Sequence, residues 1–445
     1  MEKNATEGNV FKTILLFSLP FLLSTFLQTL YGLADLFIIG QFCETESTTA
    51  VSGGSQVMHM LTVMIVGLAM GSTVLIGKAV GARNGEEKNR AIGNTVTLFA
   101  AFSLVLTAVL LLCVRAIVGV LDTPAEAVEG TVDYLTVCFI GVPFITVYNV
   151  FGSIFRGLGD TKTPMRVVAL ACVCNIGLDY LFIGALGLGA TGAALGTTLS
   201  QAVSVLVAFA VIAKRGTLAG LTKSHFRPVR ATVAEILKVG LPVMAQDGFI
   251  QISFLLITVF ANRRGLYDAA AVGVVEKLIG ILFLVPSTLL SACSALCAQN
   301  VGAKKHDRAR ATLLYCALLA AGCGLFFSVL FQFLAPWAVS VFRDDAQVIR
   351  LGAQYMRSYV WDCIFAGIHF TFSGYFCAYS HSGVSFLHNV LAILLARIPL
   401  AYFAAVRFPD TLFPMGCAAP AGSLVSVIVC VIAYTVLTRK GEFEK

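Results

Sequence analysis

Twelve apolar runs, each longer than twenty residues, decide what this chain can fold into. They lie at about 13–40, 50–77, 92–120, 131–155, 164–186 and 192–213, then at 232–260, 269–297, 311–340, 349–378, 384–406 and 413–437. A bilayer core is crossed by roughly 20 residues of helix or about 10 of strand, and none of the runs alternates polar with apolar residues as barrel strands do. The runs therefore predict an all-α integral membrane protein with twelve transmembrane helices. Composition agrees, with 58% hydrophobic residues, 12% charged and a mean hydropathy of +0.87, a balance that soluble domains do not reach. The first run is too long for a signal-peptide core and no small-residue cleavage site precedes the next, so it is expected to insert as a helix in its own right.

Basic residues orient the spans. With the N-terminus inside, Lys3 and Lys12, the 78–90 loop, Arg156, Lys162 and Arg166, the 214–230 loop, the 304–310 loop and Arg439, Lys440 and Lys445 all fall on one side. Only Arg115, Arg263, Arg264, Arg343, Arg350, Arg357 and Arg407 fall on the other, so both termini are expected to be cytoplasmic. The net charge of +7 follows from these loops and calls for no nucleic acid. The 13 cysteines are scattered through apolar runs without metal-type spacing and read as reduced packing residues. His59, His369, His381 and His388 likewise lack ligand spacing.

The chain repeats itself. Leu19-Pro20 returns as Leu241-Pro242, Ala50-Val51 as Ala271-Val272 and Val80-Gly81-Ala82 as Val301-Gly302-Ala303, and from Ala50 the offset settles at 221 residues. Six spans bring a chain back to its starting side, so two six-helix lobes in one orientation follow. Their expected bounds are 1–213 and 232–445, joined by a cytoplasmic linker at 214–231. Pseudo-symmetric halves are a transporter architecture.

Within the first run stands one carboxylate, Asp35, and burying its charge costs at least about 3 kcal/mol. Asn175 and Asp179 are one turn apart on a later helix and share a face; Thr197 follows a Gly/Ala-rich helix start that permits close packing. The four offer oxygen, which suits Na⁺ or a proton shared between two carboxylates. Pro20, fifteen residues before Asp35, removes a backbone hydrogen bond and would let the first helix bend.

The loop Phe155-Arg156-Gly157-Leu158-Gly159-Asp160-Thr161-Lys162-Thr163-Pro164 resembles the RG-x-GD-x-K-x-P loop of the multidrug and toxin extrusion (MATE) family. The spacing of Pro20, Gln28, Tyr31, Asp35 and Gly40, the Gly81-Ala82-Arg83 loop and the duplicated twelve-helix layout agree with it. The resemblance spans essentially the whole chain and is strongest to prokaryotic branches, including one typified by a DNA-damage-inducible protein. It implies a cation-coupled efflux carrier of two lobes around a central cleft, with Asp35, Asn175, Asp179 and Thr197 as the coupling site for H⁺ or Na⁺.

The second half departs from the first. The counterpart of Asp35 is Ile257 or Thr258, and the acid that other branches carry on the seventh helix falls at Gln251, while Asp362 stands about a turn from the expected tenth-helix acid. That second cation site is therefore not carried over. Asp247, Glu276 and Gln251 are left as a candidate substrate or second-ion site, with Lys277 expected to neutralise Asp247 or Asp362 and Glu276 to line the cleft.

Secondary active efflux of amphipathic, often cationic, organic compounds is the leading expectation, in the inner (plasma) membrane, with membrane lipids as surroundings and the chain acting as a monomer. A flippase for a lipid-linked precursor would want a cationic cleft, for which only Lys277 and Arg397 are candidates. A membrane-embedded enzyme would need an acid/base or nucleophile cluster that the sequence lacks. Gly77-Lys78 has neither the upstream glycine spacing nor the following Ser/Thr of a phosphate-binding loop. The gradient, with no cofactor, is the expected energy source.

Overall fold

A computed structural model describes residues 5–121, 123–215 and 220–444. All regular structure among them is helical: α1 (Val10–Phe42), α2 (Thr45–Gly81), α3 (Gly85–Val120), α4 (Val128–Ile140), α5 (Val142–Gly157), α6 (Lys162–Asp179), α7 (Gly189–Arg215), α8 (Arg230–Arg264) and α9 (Leu266–Leu282). The rest are α10 (Leu284–Gly302), α11 (His306–Ser340), α12 (Ala346–Tyr359), α13 (Asp362–Ala378), α14 (Ser382–Ala392), α15 (Ile398–Arg407), α16 (Phe413–Gly416) and α17 (Ala418–Arg439). Among the described residues, ten helices are long and apolar enough to cross a membrane, with α9 and α10 forming one of them. The pair α4 and α5, bent by 49°, makes an eleventh. The pair α12 and α13 is its counterpart in the repeat and completes twelve; Arg350, Arg357 and Asp362 within it lower its hydropathy. Large apolar side chains stand on the outer surface, among them Leu112 at 87% exposure and Phe333 at 77%, as a lipid-facing surface requires.

Two compact units divide the chain. The first is Leu19–Leu237; the second combines residues 5–18 with 238–444. Each division falls inside a helix a few residues before its proline, Pro20 in α1 and Pro242 in α8. The segment that leads into α1 is held in the second unit by Arg308, whose guanidinium donates to the carbonyls of Ala5, Glu7 and Gly8, and by Lys305 Nζ, 2.8 Å from the carbonyl of Thr6. These bonds satisfy backbone acceptors that a bare helix entry would leave to solvent.

The repeat extends to backbone detail. Helix α2 ends with Arg83 in the left-handed region (φ 55°), and α10 ends with Lys304 there (φ 58°). In both, the next residue donates five positions back, Asn84 to Ala79 at 3.0 Å and Lys305 to Asn300 at 2.8 Å. Gly159 and Ser380 (φ 81° and 61°) repeat the turn after α5 and α13, with Asp160 donating to Phe155 and His381 to Phe376. This is the C-terminal cap in which a left-handed residue lets the chain satisfy the last carbonyls. Asp160 then begins the following helix: its Oδ1 accepts from the amides of Lys162 and Thr163, and its Oδ2 from Thr163 Oγ1 at 2.6 Å. The signature loop is thus a helix stop joined to a helix start.

Candidate functional site

The first unit buries its acids. Asp35 is 7% exposed, Asn175 1% and Asp179 0%. Asp179 closes α6, and a π-helical turn over Tyr180–Ala185 follows at once, a distortion that recurs at functional sites. Gly196, one residue before Thr197 on α7, makes room for the acid: a Cβ there would collide with Asp179 Oδ1. Thr197 Oγ1 donates to Asp35 Oδ2 at 3.2 Å. Asn175, Asp179 and Thr197 are all neighbours of the Asp35 carboxylate, so the four residues singled out in the sequence come together. Asp35 Oδ1, both oxygens of Asp179 and both polar atoms of Asn175 are enclosed without a hydrogen-bond partner. A group of buried oxygens left unsatisfied costs several kcal/mol unless something charged or hydrogen-bonding joins it.

Helix α1 packs Ile38 and Ile39, both buried, into the apolar core that the first unit builds around Val51, Leu135 and Ala194. Polar side chains fasten it as well. Gln28 Nε2 donates to Tyr148 OH at 3.0 Å, Gln201 Nε2 to Tyr31 OH at 3.3 Å, and Thr197 to Asp35. Residues 28, 31 and 35 lie on one face of α1 at helical spacing. Sequence reasoning used Gln28 and Tyr31 only as markers of resemblance; Tyr148 and Gln201 it missed, because a polar residue in an apolar run does not say which helix it meets.

The second unit is organised differently. Glu276 accepts from Thr258 Oγ1 at 3.1 Å and leaves Oε1 unpartnered. Lys277 is exposed and makes no ion pair among the described residues, so the expected neutralisation by Lys277 is corrected. The charge that faces both Glu276 and Asp362 is Arg397. Its Nη2 donates to Tyr359 OH at 2.7 Å and its guanidinium lies 4.5 Å from the centre of the Phe254 ring. The reason is geometric: Lys277 follows Glu276 and points about 100° away around α9, while Arg397 sits in a π-helical turn, Ile393–Arg397, that turns it inward. A cavity of about 50 Å³, lined among others by Asp362, His369, Asn389 and Arg397, adjoins the cluster. Asp247 and Gln251 are partly buried on α8 and make no hydrogen bond or ion pair among the described residues.

Two repeated six-span units, the first holding a buried carboxylate pair, define a polytopic membrane transporter. The MatE family profile matches residues 20–181 and again 242–403, starting each time at the proline of a unit's first span. The chain belongs to this family, the MATE transporters. It is 25% identical over 369 residues to the probable multidrug resistance protein YoeA of Bacillus subtilis, covering 81% of this chain and 80% of that one. With the multidrug export protein MepA of Staphylococcus haemolyticus it shares 24% over 371 residues, 83% and 81% of the two chains. Among solved structures, an outward-facing multidrug resistance MATE transporter of the MOP superfamily superposes with a TM-score of 0.90 over 98% of both chains at 23% identity. A MOP superfamily transporter from Pyrococcus furiosus, described as having a binding pocket of reverse polarity, gives 0.90 over 99% and 98% at 22% identity.

Proposed function

We propose that this transporter exports amphipathic, often cationic, organic compounds by alternating access, coupled to the entry of H⁺ or Na⁺ at Asp35, Asn175, Asp179 and Thr197. The multidrug resistance and multidrug export names of its relatives support drug export. One observation carries the coupling: a hydrogen bond from Thr197 of α7 to α1 ends on a carboxylate pair with unsatisfied oxygens. A cation arriving there removes the charge that Asp35 offers Thr197 and draws Asp35 toward Asp179. Because the other polar links, Gln28 to Tyr148 and Gln201 to Tyr31, are single neutral hydrogen bonds worth about 1 kcal/mol each, the part of α1 before the buried Ile38 and Ile39 can then shift, bending at Pro20. The site and the substrate path would thereby alternate between the two sides of the membrane.

The reading places the protein in the plasma membrane with both termini cytoplasmic, on the distribution of Lys and Arg. Glu276 is the weaker candidate for binding cationic substrate, because Arg397 already neutralises its surroundings. Purified protein in liposomes, loaded with ethidium and exposed to an imposed pH or Na⁺ gradient, tests the proposal. Export driven by one gradient and abolished by its ionophore is expected; ethidium movement indifferent to both gradients would sink it.

A further inference from the structure

Arg156 is the charged group of the first unit that ion coupling leaves unused. It lies in the last turn of α5, only 7% exposed, with Nε enclosed and unpartnered. The side chain makes no hydrogen bond or ion pair with any described residue. Its guanidinium folds back over Gly152, where a Cβ would come within 3.2 Å of Nη1, and rests 5.2 Å from the centre of the Phe21 ring on α1. The nearest titratable neighbour is the hydroxyl of Tyr148, and no carboxylate stands beside it. Arg397 in the second unit, by contrast, faces two acids and a tyrosine hydroxyl.

A cation taken out of water without a counter-charge costs several kcal/mol, and cation–π contact returns about 2 kcal/mol at best. What restores the balance is an anion. The planar fork of Arg suits a two-oxygen acceptor such as a carboxylate, sulfonate or phosphate. Of the guanidinium nitrogens only Nε is enclosed, so the Nη1 and Nη2 side of the fork is open to meet one. The Phe21 ring and the neutral Gln28–Tyr148 pair beyond it favour an oxyanion carried on an amphipathic molecule.

We propose that Arg156 anchors an oxyanion-binding site in the first unit, for the acidic group of an amphipathic solute or of a phospholipid headgroup. The measurement is a binding equilibrium and needs no gradient, so it stands apart from the coupling proposal. Full-length protein in phosphatidylcholine nanodiscs would be titrated with rhodamine 110, which carries a free carboxylate, and with rhodamine 123, its methyl ester, followed by fluorescence anisotropy. In a second arm the melting temperature would be compared in nanodiscs with and without phosphatidylglycerol.

If the anion is a solute's, wild type binds rhodamine 110 more tightly than its ester. Arg156→Gln then loses about tenfold for rhodamine 110 alone, and Arg156→Lys falls between, having no planar fork. If it is a lipid's, phosphatidylglycerol raises the melting temperature of wild type and not of Arg156→Gln. In neutral lipid Arg156→Gln should melt no lower than wild type, because it removes an unpaired buried charge. No preference for the anionic partner in either arm of the wild type, or a preference that survives in Arg156→Gln, overturns the proposal.

Discussion

At the scale of single residues, the contrast between Asp179 and Asp362 shows how the same acid is used twice. Both are fully enclosed with neither oxygen hydrogen-bonded, yet Asp179 faces another acid and Asp362 faces Arg397. The first arrangement demands a cation from outside; the second carries its own. Asp35→Asn and Asp179→Asn should therefore each reduce gradient-driven export to background while the protein still purifies as a monodisperse species, since a carboxamide neither releases a proton nor supplies charge. Export at wild-type rate from liposomes by both variants would show that the coupling site lies elsewhere. Gly196→Ala should act on the same site by sterics, displacing Asp179 at a cost of about 1–3 kcal/mol, visible as a lower melting temperature together with lost export. For the second unit, Arg397→Gln leaves Glu276 and Asp362 without their cation. A loss of roughly 3 kcal/mol is expected, measured by thermal unfolding in detergent, and an unchanged melting temperature would contradict the balance described here.

At the scale of elements, much was legible because the causes are local. Span lengths follow from bilayer thickness, and the internal repeat shows in short motifs that recur at offsets of 221 or 222 residues. Asn175 and Asp179 were legible as a pair because helical spacing alone puts them on one face. What the sequence concealed depends on how helices meet. Nothing in the run around Arg397 says that a π-helical turn will aim it at Glu276, and nothing in Lys277 says that it will point away. The final turn of the chain is another such case. After α17, Gly441 (φ 67°) reverses the backbone and inserts Phe443, which is wholly buried, between Tyr379 and Tyr375 with ring centres 4.8 and 5.1 Å away. Arg310 holds the adjoining Glu444 at 3.0 Å. Phe443→Ala is expected to cost about 3 kcal/mol, whereas the neighbouring exposed pair could be removed by Glu444→Gln for under about 1 kcal/mol. Melting temperatures of the two variants, measured side by side, separate a packed tail from one fastened by charge.

At the scale of the whole molecule, the first helix of each half belongs to both units, since the divisions at residues 18–19 and 237–238 fall inside α1 and α8. The segment between the halves is fixed to the first unit as well: Asn94 Nδ2 donates to the carbonyls of His225 and Arg227, Asn94 Oδ1 accepts from the amide of Val229, and His225 Nε2 lies 3.2 Å from Glu86. All of these residues sit at the end of the unit that also carries the 78–90 loop. Their basic companions argue that this end is cytoplasmic, and the linker offers a direct way to ask. Ser224 lies in it, with its hydroxyl 2.6 Å from that of Thr222, at an exposed position where a cysteine would be reachable by a maleimide. In a version with all native cysteines replaced, Ser224→Cys should resist a membrane-impermeant maleimide in intact cells and react fully once the membrane is opened. Complete labelling in intact cells would invert the topology, and with it the direction in which a gradient drives export.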